Sequence, residues 1–118
     1  MNAGEIHWVN LDPTVGNEIK KRRPVVVLNG GHQKNLRLSI VVPLTQWQEP
    51  WDNNPFFVTI AANPQNGLQK TSSVDCYQIR AISHDRFLGK IGQITPSQLD
   101  RIKTAIALVL DIDSGHCQ

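Results

Sequence analysis

The chain has 118 residues, of which 40% are apolar and 19% charged, and its formal net charge is +2. This length and composition predict one globular domain spanning residues 1–118 and exclude a disordered or fibrous protein. No apolar run is long enough for a transmembrane helix and no signal-peptide pattern opens the chain, so we expect a cytosolic protein with no membrane contact. The two cysteines, Cys76 and Cys117, match no zinc-site spacing, and we expect no disulfide between them.

Residues 4–29 predict a strand, a turn-rich loop and a second strand. Glu5–Leu11 alternates loosely between apolar and polar residues, which is typical of a short half-buried strand, and we expect Trp8 to lie in the core. Asp12-Pro13 and Gly16-Asn17 are turn signals that end this strand and build the loop.

A run of four cations closes this loop and leads into the second strand: Lys20, Lys21, Arg22 and Arg23. Pro24 follows, and because proline donates no ladder hydrogen bond it suits the first position of a strand. The Arg23 side chain should therefore have a fixed direction, because it stands at the start of a rigid strand, next to the loop. Residues 1–40 have six Lys/Arg against three Asp/Glu, whereas residues 41–118 have six against seven. Such a local basic patch favours anionic ligands, although a merely solvated loop has the same composition.

The rest of the chain predicts further short strands and one helix. The predicted strands are Leu36–Thr45, Phe56–Ala61, Thr71–Ile82 and Lys90–Ile94. Asn66-Gly67 predicts a hairpin turn before the third of these strands, and His84–Leu88 predicts a single helical turn.

A C-terminal helix is predicted by three residues that suit its first turn: Thr95 as N-cap, Pro96 at the first helical position and Gln98 to complete a capping box. An apolar stripe follows at helical spacing, namely Leu99, Ile102, Ile106, Val109 and Leu110. The whole pattern predicts a mainly β, mostly antiparallel fold with one C-terminal helix, either a small barrel or a sandwich.

Three blocks of this sequence resemble the MazF/PemK (Kid) family of toxin endoribonucleases. They are G-E-I-x-W-V-x-L-D-P-T-x-G-N-E with R-P-V-V-V-L, then V-V-P-L-T at residues 41–45, and S-V-D-C-Y-Q-I-R-A-I at residues 73–82. The resemblance implies an SH3-like antiparallel β-barrel, a homodimer, and a metal-independent, sequence-specific cleavage of single-stranded RNA (an mRNA interferase activity). It also implies a cyclic-phosphate product and neutralisation by a cognate antitoxin with an acidic, disordered tail.

No motif in the chain predicts a metal or another cofactor, since phosphate-binding glycine loops, nucleophile elbows and metal-ligand spacings are absent from the sequence. RNA can be cut without a metal because its own 2′-OH can attack the adjacent phosphorus. A protein that catalyses this step has to accept the 2′-OH proton, stabilise the charge of the phosphorane and protonate the leaving oxygen.

Arg23 is the candidate for stabilising the phosphorane, because a guanidinium fork matches two phosphate oxygens. The resemblance assigns it to the family's catalytic arginine, and the alternative is a surface ion pair with Glu18. Thr45 ends the block V-V-P-L-T, where the resemblance implies a catalytic threonine whose hydroxyl donates to a phosphate oxygen.

The general base is left open by the sequence. Asn17 stands where some members of the family have a histidine, and Tyr77 stands where some have an acid. Asp75 would project from the same face of a strand as Tyr77, and Glu18 adjoins the basic run. Both carboxylates are candidate catalytic residues, and both could instead be structural partners of nearby arginines.

Seven residues around this centre are predicted to bind RNA: Asn17, Lys20, Lys21, Arg22, Trp47, Tyr77 and Gln78. Trp47 and Trp51 lie in a polar loop, where bases could stack on them at roughly 1–3 kcal/mol each, or where both rings could fold back onto the barrel or onto a dimer partner. His7, His32 and His84 are expected at the surface. Because Asn17 and Tyr77 depart from the family pattern, a second class of function also stays open, namely a non-catalytic SH3-like binding module or a gyrase-inhibiting toxin relative.

Overall fold

A computed structural model of the chain describes residues 1–18, 21–30, 35–49 and 53–113. These residues form seven strands and one α-helix. The strands are β1 (Glu5–Asn10), β2 (Arg22–Val27), β3 (Leu38–Gln46), β4 (Phe57–Ile60), β5 (Ser72–Asp75), β6 (Arg80–Ser83) and β7 (Phe87–Gln93), and the helix α1 is Pro96–Val109. The predicted fold class, mainly antiparallel β with one C-terminal helix, is confirmed.

The sheet is built around β3, the longest strand. The strand order is β4-β5-β3-β2-β1-β7, and β6 pairs with β3 beside this path. β3 pairs with β2 and β6 along its first part and with β5 along its last three residues, so the sheet is strongly curved. Within the described ranges no pairing joins β4 to β7, and the closure of a barrel is not found.

The strands bury apolar side chains on both faces of the sheet. Successive residues of a strand point to opposite faces, and β2 illustrates the result. Val26 belongs to the main core, which also contains Ile102 of α1, whereas Val25 and Val27 belong to a second, smaller core with Val9. The uninterrupted apolar run of β2 therefore serves two cores.

The C-terminal helix begins as predicted. The Thr95 hydroxyl accepts a hydrogen bond from the Gln98 backbone N–H at 3.1 Å, and the Gln98 side chain accepts one from the Thr95 N–H at 3.0 Å. Ile102 and Ile106 are buried against the sheet, but Leu110 follows the end of the helix and is 52% exposed, so its predicted place in the stripe is wrong. No described helix is both long and apolar enough to cross a bilayer.

The predicted strand Thr71–Ile82 is interrupted, which corrects the expectation from the sequence. β5 ends at Asp75, and a single 3-10 turn, Cys76–Gln78, separates it from β6. The cause is local, because an Asp75 carboxylate oxygen accepts a hydrogen bond from the Tyr77 N–H at 3.1 Å and this bond competes with the extended conformation. Asp75 and Tyr77 therefore do not share a strand face as predicted.

Two further expectations for β1 are wrong. Trp8 is 45% exposed instead of lying in the core, although Ile6, two residues earlier, is fully buried. His7 is buried instead of lying at the surface, and its ring nitrogen is 2.9 Å from a carboxylate oxygen of Glu5. The register of β1 against β7 shifts on both sides of the pair His7-Trp8, so regular alternation does not hold across this strand.

Candidate active site

A cavity of about 340 Å³, called here the arginine cavity, opens where β2 and β3 separate. Its lining includes Arg23 of β2, Thr45 of β3, Trp8 of β1 and the segment 67–70. The β2–β3 pairing ends at Val25–Pro43, and β3 then continues alongside β5. The cavity therefore exists because β3 changes its partner.

Sheet register explains why Arg23 and Thr45 lie together. Val25–Pro43 is the last pair between β2 and β3, and Arg23 and Thr45 each lie two residues beyond it, where both line the arginine cavity. Thr45 is in turn paired with Ser73 of β5.

Arg23 carries a buried hydrogen-bond donor with no acceptor. Its Nε is buried and makes no hydrogen bond, and within the part of the chain that the structure describes its guanidinium has no acidic partner. The alternative ion pair with Glu18 does not occur among the described residues, and the Glu18 carboxylate accepts a hydrogen bond from the Val15 N–H instead. A buried donor without an acceptor is unfavourable in the free protein. A bound ligand with a negatively charged oxygen would supply the acceptor that Arg23 Nε lacks.

Two more buried polar atoms near the arginine cavity have no hydrogen-bond partner among the described residues: Trp47 Nε1 and Ser73 Oγ. Ser73 is paired with Thr45, and the Trp47 backbone N–H donates to Thr71 O at 3.4 Å, which holds Trp47 at the start of β5. The Trp47 side chain is half-buried. It is therefore neither fully exposed in the loop nor fully packed onto the domain. Unsatisfied buried groups concentrated at one place are typical of a ligand site.

The charge of the arginine cavity also favours an anion. Its described lining has two cations, Arg23 and Lys70, and neither an aspartate nor a glutamate. A cavity lined by one sign of charge concentrates ligands of the opposite sign. Trp8 adds a partly exposed aromatic ring to the same lining, so the site combines positive charge with a flat apolar surface.

A second cavity, of about 550 Å³ and called here the tyrosine cavity, gathers five of the predicted site residues: Asn17, Glu18, Asp75, Tyr77 and Gln78. Gln78 ties the β1–β2 loop to the 3-10 turn, since its amide nitrogen donates to the Asp75 carboxylate at 3.1 Å and to the Asn17 carbonyl at 3.4 Å. Tyr77 is exposed, and its ring contacts that of Phe56 edge to face. The predicted base candidates thus line a different cavity from Arg23 and Thr45.

Asp75 caps the 3-10 turn through its carboxylate. One of its oxygens accepts from the Tyr77 N–H and the other from the Gln78 amide. Burial raises the pKa of this carboxyl above its ordinary value, and the hydrogen bonds from Tyr77 and Gln78 oppose that rise only in part.

The basic run is anchored at the end that the structure describes. The Lys21 N–H donates to the Asp12 carboxylate at 3.0 Å, and the Lys21 carbonyl accepts from the Leu11 N–H at 2.9 Å. Arg22 opens β2 with an exposed side chain. Lys20, His32, Trp51 and Cys117, which the sequence also singled out, lie outside the described residues.

Sequence reasoning missed two residues of the arginine cavity, Trp8 and Lys70. Alternation placed Trp8 in the core, and Lys70 follows the Asn66-Gly67 turn with no motif to mark it. Trp8 and Lys70 line the same cavity as Arg23 because segments that are distant in sequence come together in the fold. No group of three or more His, Cys, Asp or Glu side chains suited to a metal occurs among the described residues.

The fold and the site define a small, strongly curved β protein with one helix and a cation-lined cavity between two diverging strands. The sequence profile of the PemK-like, MazF-like toxins of type II toxin-antitoxin systems matches residues 2–110. The chain belongs to this family.

Individual relatives agree with this assignment. The chain is 32% identical to the endoribonuclease MazF9 of Mycobacterium tuberculosis over 118 residues, which cover 95% of this chain and 98% of the relative. Among solved structures it is similar to MazF of Deinococcus radiodurans, with a TM-score of 0.80, 23% identity, and coverage of 94% of this chain and 96% of that one. A mycobacterial endoribonuclease in complex with its cognate antitoxin has the same fold, with a TM-score of 0.74, 21% identity, and coverage of 96% and 97%.

Proposed function

We propose that this protein is the toxin of a toxin-antitoxin pair and an endoribonuclease that cuts single-stranded RNA at a short sequence in the arginine cavity. The family and the activity named for MazF9 support the toxin and nuclease assignment. The observation that carries the location is that Arg23 and Thr45 line one cavity, with the buried Nε of Arg23 unpaired.

The chemistry follows from these two side chains. The 2′-OH of one nucleotide loses its proton and attacks the adjacent phosphorus, a pentavalent phosphorane forms, and the bond to the 5′-oxygen breaks as that oxygen takes a proton from solvent water, so that the products are a cyclic phosphate and a free 5′-hydroxyl. The Arg23 guanidinium donates to two phosphorane oxygens, and the Thr45 hydroxyl donates to one of them. The charge that develops is then held by groups already in place before the reaction.

The proton of the 2′-OH has to pass to a carboxylate, and because both candidates line the tyrosine cavity, the one that accepts it has to move towards Arg23 and Thr45 when RNA binds. Of the two candidates, Glu18 is the better placed to move, since it belongs to an exposed loop and, among the described residues, its carboxylate is held by one hydrogen bond, from the Val15 N–H. Asp75 is occupied on both oxygens as a structural cap. We therefore assign proton transfer to Glu18 and the support of the 3-10 turn to Asp75.

RNA reaches this centre across the basic loop. The exposed side chains of Lys21 and Arg22, which precede Arg23 in the chain, bind phosphates of the RNA, and Lys20 of the same run adds a further positive charge. Asn17, Tyr77 and Gln78 line the tyrosine cavity, where an extruded base can meet the amide groups and the exposed Tyr77 ring.

The partners are a cognate antitoxin and a second copy of the chain. Family membership supports the antitoxin, whose acidic, disordered tail would compete with RNA for the same positive surface. Three apolar side chains on alternate positions, Leu36, Leu38 and Ile40, are between 37% and 52% exposed, which supports a homodimer. With RNA as substrate and no membrane partner, the cytoplasm is the expected compartment.

The test has two parts: purified protein is incubated with cellular RNA in EDTA and the RNA is then mapped by primer extension, and the protein is overexpressed in cells while growth and new RNA ends are followed. We expect discrete new 5′ ends with the wild-type protein, a loss of about 100- to 1,000-fold with Arg23→Ala, and a comparable loss with Arg23→Lys, because an ammonium cannot replace the fork. Arg101→Ala, an exposed position on α1, is the matched control and should cut normally.

Other results would contradict the proposal. Cleavage that disappears in EDTA and returns with added metal would exclude the metal-independent mechanism. Near-normal cutting by Arg23→Ala would remove Arg23 from the site. Intact RNA with arrested growth would point to the non-catalytic binding module or gyrase inhibitor, which the nuclease activity named for MazF9 does not favour.

A further inference from the structure

We propose that Lys70 forms a second phosphate subsite, which binds the phosphate next to the one that Arg23 and Thr45 act on. The inference rests on the proposed RNA cleavage and adds a substrate contact that the sequence did not mark. Lys70 lines the same cavity as Arg23 and Thr45, on the wall formed by the segment 67–70. It is the second cation of a lining whose described residues include no carboxylate.

Lys70 is available to an external anion. Its side chain is exposed and makes no ion pair with any described residue, in contrast to Lys90, whose ammonium is 3.6 Å from the Glu5 carboxylate. A lysine ammonium is a point charge that suits a phosphate approached from one side, whereas the arginine fork suits the reacting group itself.

The backbone that carries Lys70 is held rigidly on its N-terminal side by a buried asparagine. Asn66 is fully buried, and its amide oxygen accepts from the Asn63 and Leu68 N–H groups at 3.1 and 3.0 Å. Its amide nitrogen donates to the Ala61 carbonyl at 2.9 Å. Close packing against β7 adds to this, since a Cβ on Gly67 would lie 2.5 Å from the Ile91 carbonyl oxygen.

The C-terminal side of the segment is held to the strands of the active site. The Ser72 hydroxyl donates to the Lys70 carbonyl at 3.0 Å, and the Trp47 N–H donates to the Thr71 carbonyl. Ser72 is itself paired with Gln46, the neighbour of Thr45. The Lys70 main chain is therefore fixed relative to Thr45, and a charge on a fixed main chain can be aimed at one position of a bound strand.

The experiment measures the binding of single-stranded RNA as a function of salt. The probe is an oligonucleotide containing the mapped cleavage site with a 2′-deoxynucleotide at that position, so that it binds without being cut. Each phosphate contact to a single strand contributes about 0.7 to the slope of log K against log salt. We expect Lys70→Gln to reduce the slope by about this amount, Lys70→Arg to restore it, and Lys103→Gln, an exposed lysine of α1, to leave it unchanged.

The outcomes separate this inference from the proposed function. If the wild-type protein cuts and binds RNA but Lys70→Gln keeps the wild-type slope, the second subsite is wrong and the nuclease assignment stands. If the wild-type protein neither cuts nor binds RNA, the proposed function fails and the subsite with it. Circular dichroism of each variant checks that the variant is folded, so that a reduced slope of log K against log salt reflects a lost phosphate contact.

Discussion

Arg23 and Asp75 are both partly withdrawn from water, but their hydrogen bonding differs. The buried Nε of Arg23 has no acceptor, which costs roughly 1–3 kcal/mol in the free protein and is recovered when a phosphate binds. The Asp75 carboxylate is satisfied on both oxygens. The first arrangement is suited to binding a substrate, and the second is suited to holding a turn.

This difference predicts distinct effects of removing each candidate base. Glu18→Gln should lower the cleavage rate by about 100-fold or more, because loss of a general base has this order of effect. Asp75→Asn should cut RNA at nearly the wild-type rate, since its amide oxygen can still accept from the Tyr77 N–H. Single-turnover cleavage of the mapped oligonucleotide measures both. If Asp75→Asn lost the cleavage rate and Glu18→Gln kept it, Asp75 would be the residue that transfers the proton and Glu18 would not.

The pH dependence of stability checks the role of Asp75 independently of activity. Its pKa is raised in the folded protein, so the ionised carboxylate destabilises the fold at pH values above that folded pKa. This cost disappears as the pH falls from the folded pKa towards the unfolded value. Asp75→Asn has no such charge, so any advantage in its free energy of unfolding over the wild type should shrink between pH 7 and pH 4. An advantage that grows on acidification would contradict the raised pKa.

At the scale of elements, the sequence predicted those features that local chemistry determines. The capping box of Thr95 and Gln98 depends on residues three apart, and the helix begins where it was predicted. The break after Asp75 was missed because strand alternation does not reveal a side chain that caps a turn. The separation of the predicted site residues into two cavities was also missed, because it depends on the change of partner along β3, a contact between distant segments.

The turn that carries Lys70 gives the prediction at this scale. Asn66→Ala removes three hydrogen bonds and leaves two N–H groups and one carbonyl unpaired, so we expect a loss of roughly 3 kcal/mol in the free energy of unfolding, at about 1 kcal/mol for each bond. Urea unfolding measures it. Asn53→Ala, an exposed asparagine, is the control and should change stability little. A loss below about 1 kcal/mol in Asn66→Ala would show that the amide network does not hold the segment.

At the scale of the whole molecule, β3 contributes to two different surfaces along its length. Its last residues, from Thr45, build the arginine cavity beside β5, while its first residues expose Leu38 and Ile40 on alternate positions and hence on one face. Apolar side chains exposed in this way are typical of a contact between proteins. A dimer formed through the first half of β3 would leave the arginine cavity of each copy connected to the interface by a single continuous strand.

This division of β3 predicts the effect of a charge on the association of the chain. We expect the wild-type protein to sediment at the mass of two chains and Ile40→Glu at the mass of one, because a carboxylate buried in an apolar contact without a partner is strongly unfavourable. Val15→Glu introduces the same charge at an apolar residue that is 81% exposed in the β1–β2 loop, and it should remain a dimer. Sedimentation velocity over a range of concentrations separates the two masses. A dimer of unchanged affinity in Ile40→Glu would place the contact elsewhere on the surface, and β3 would then serve the arginine cavity alone.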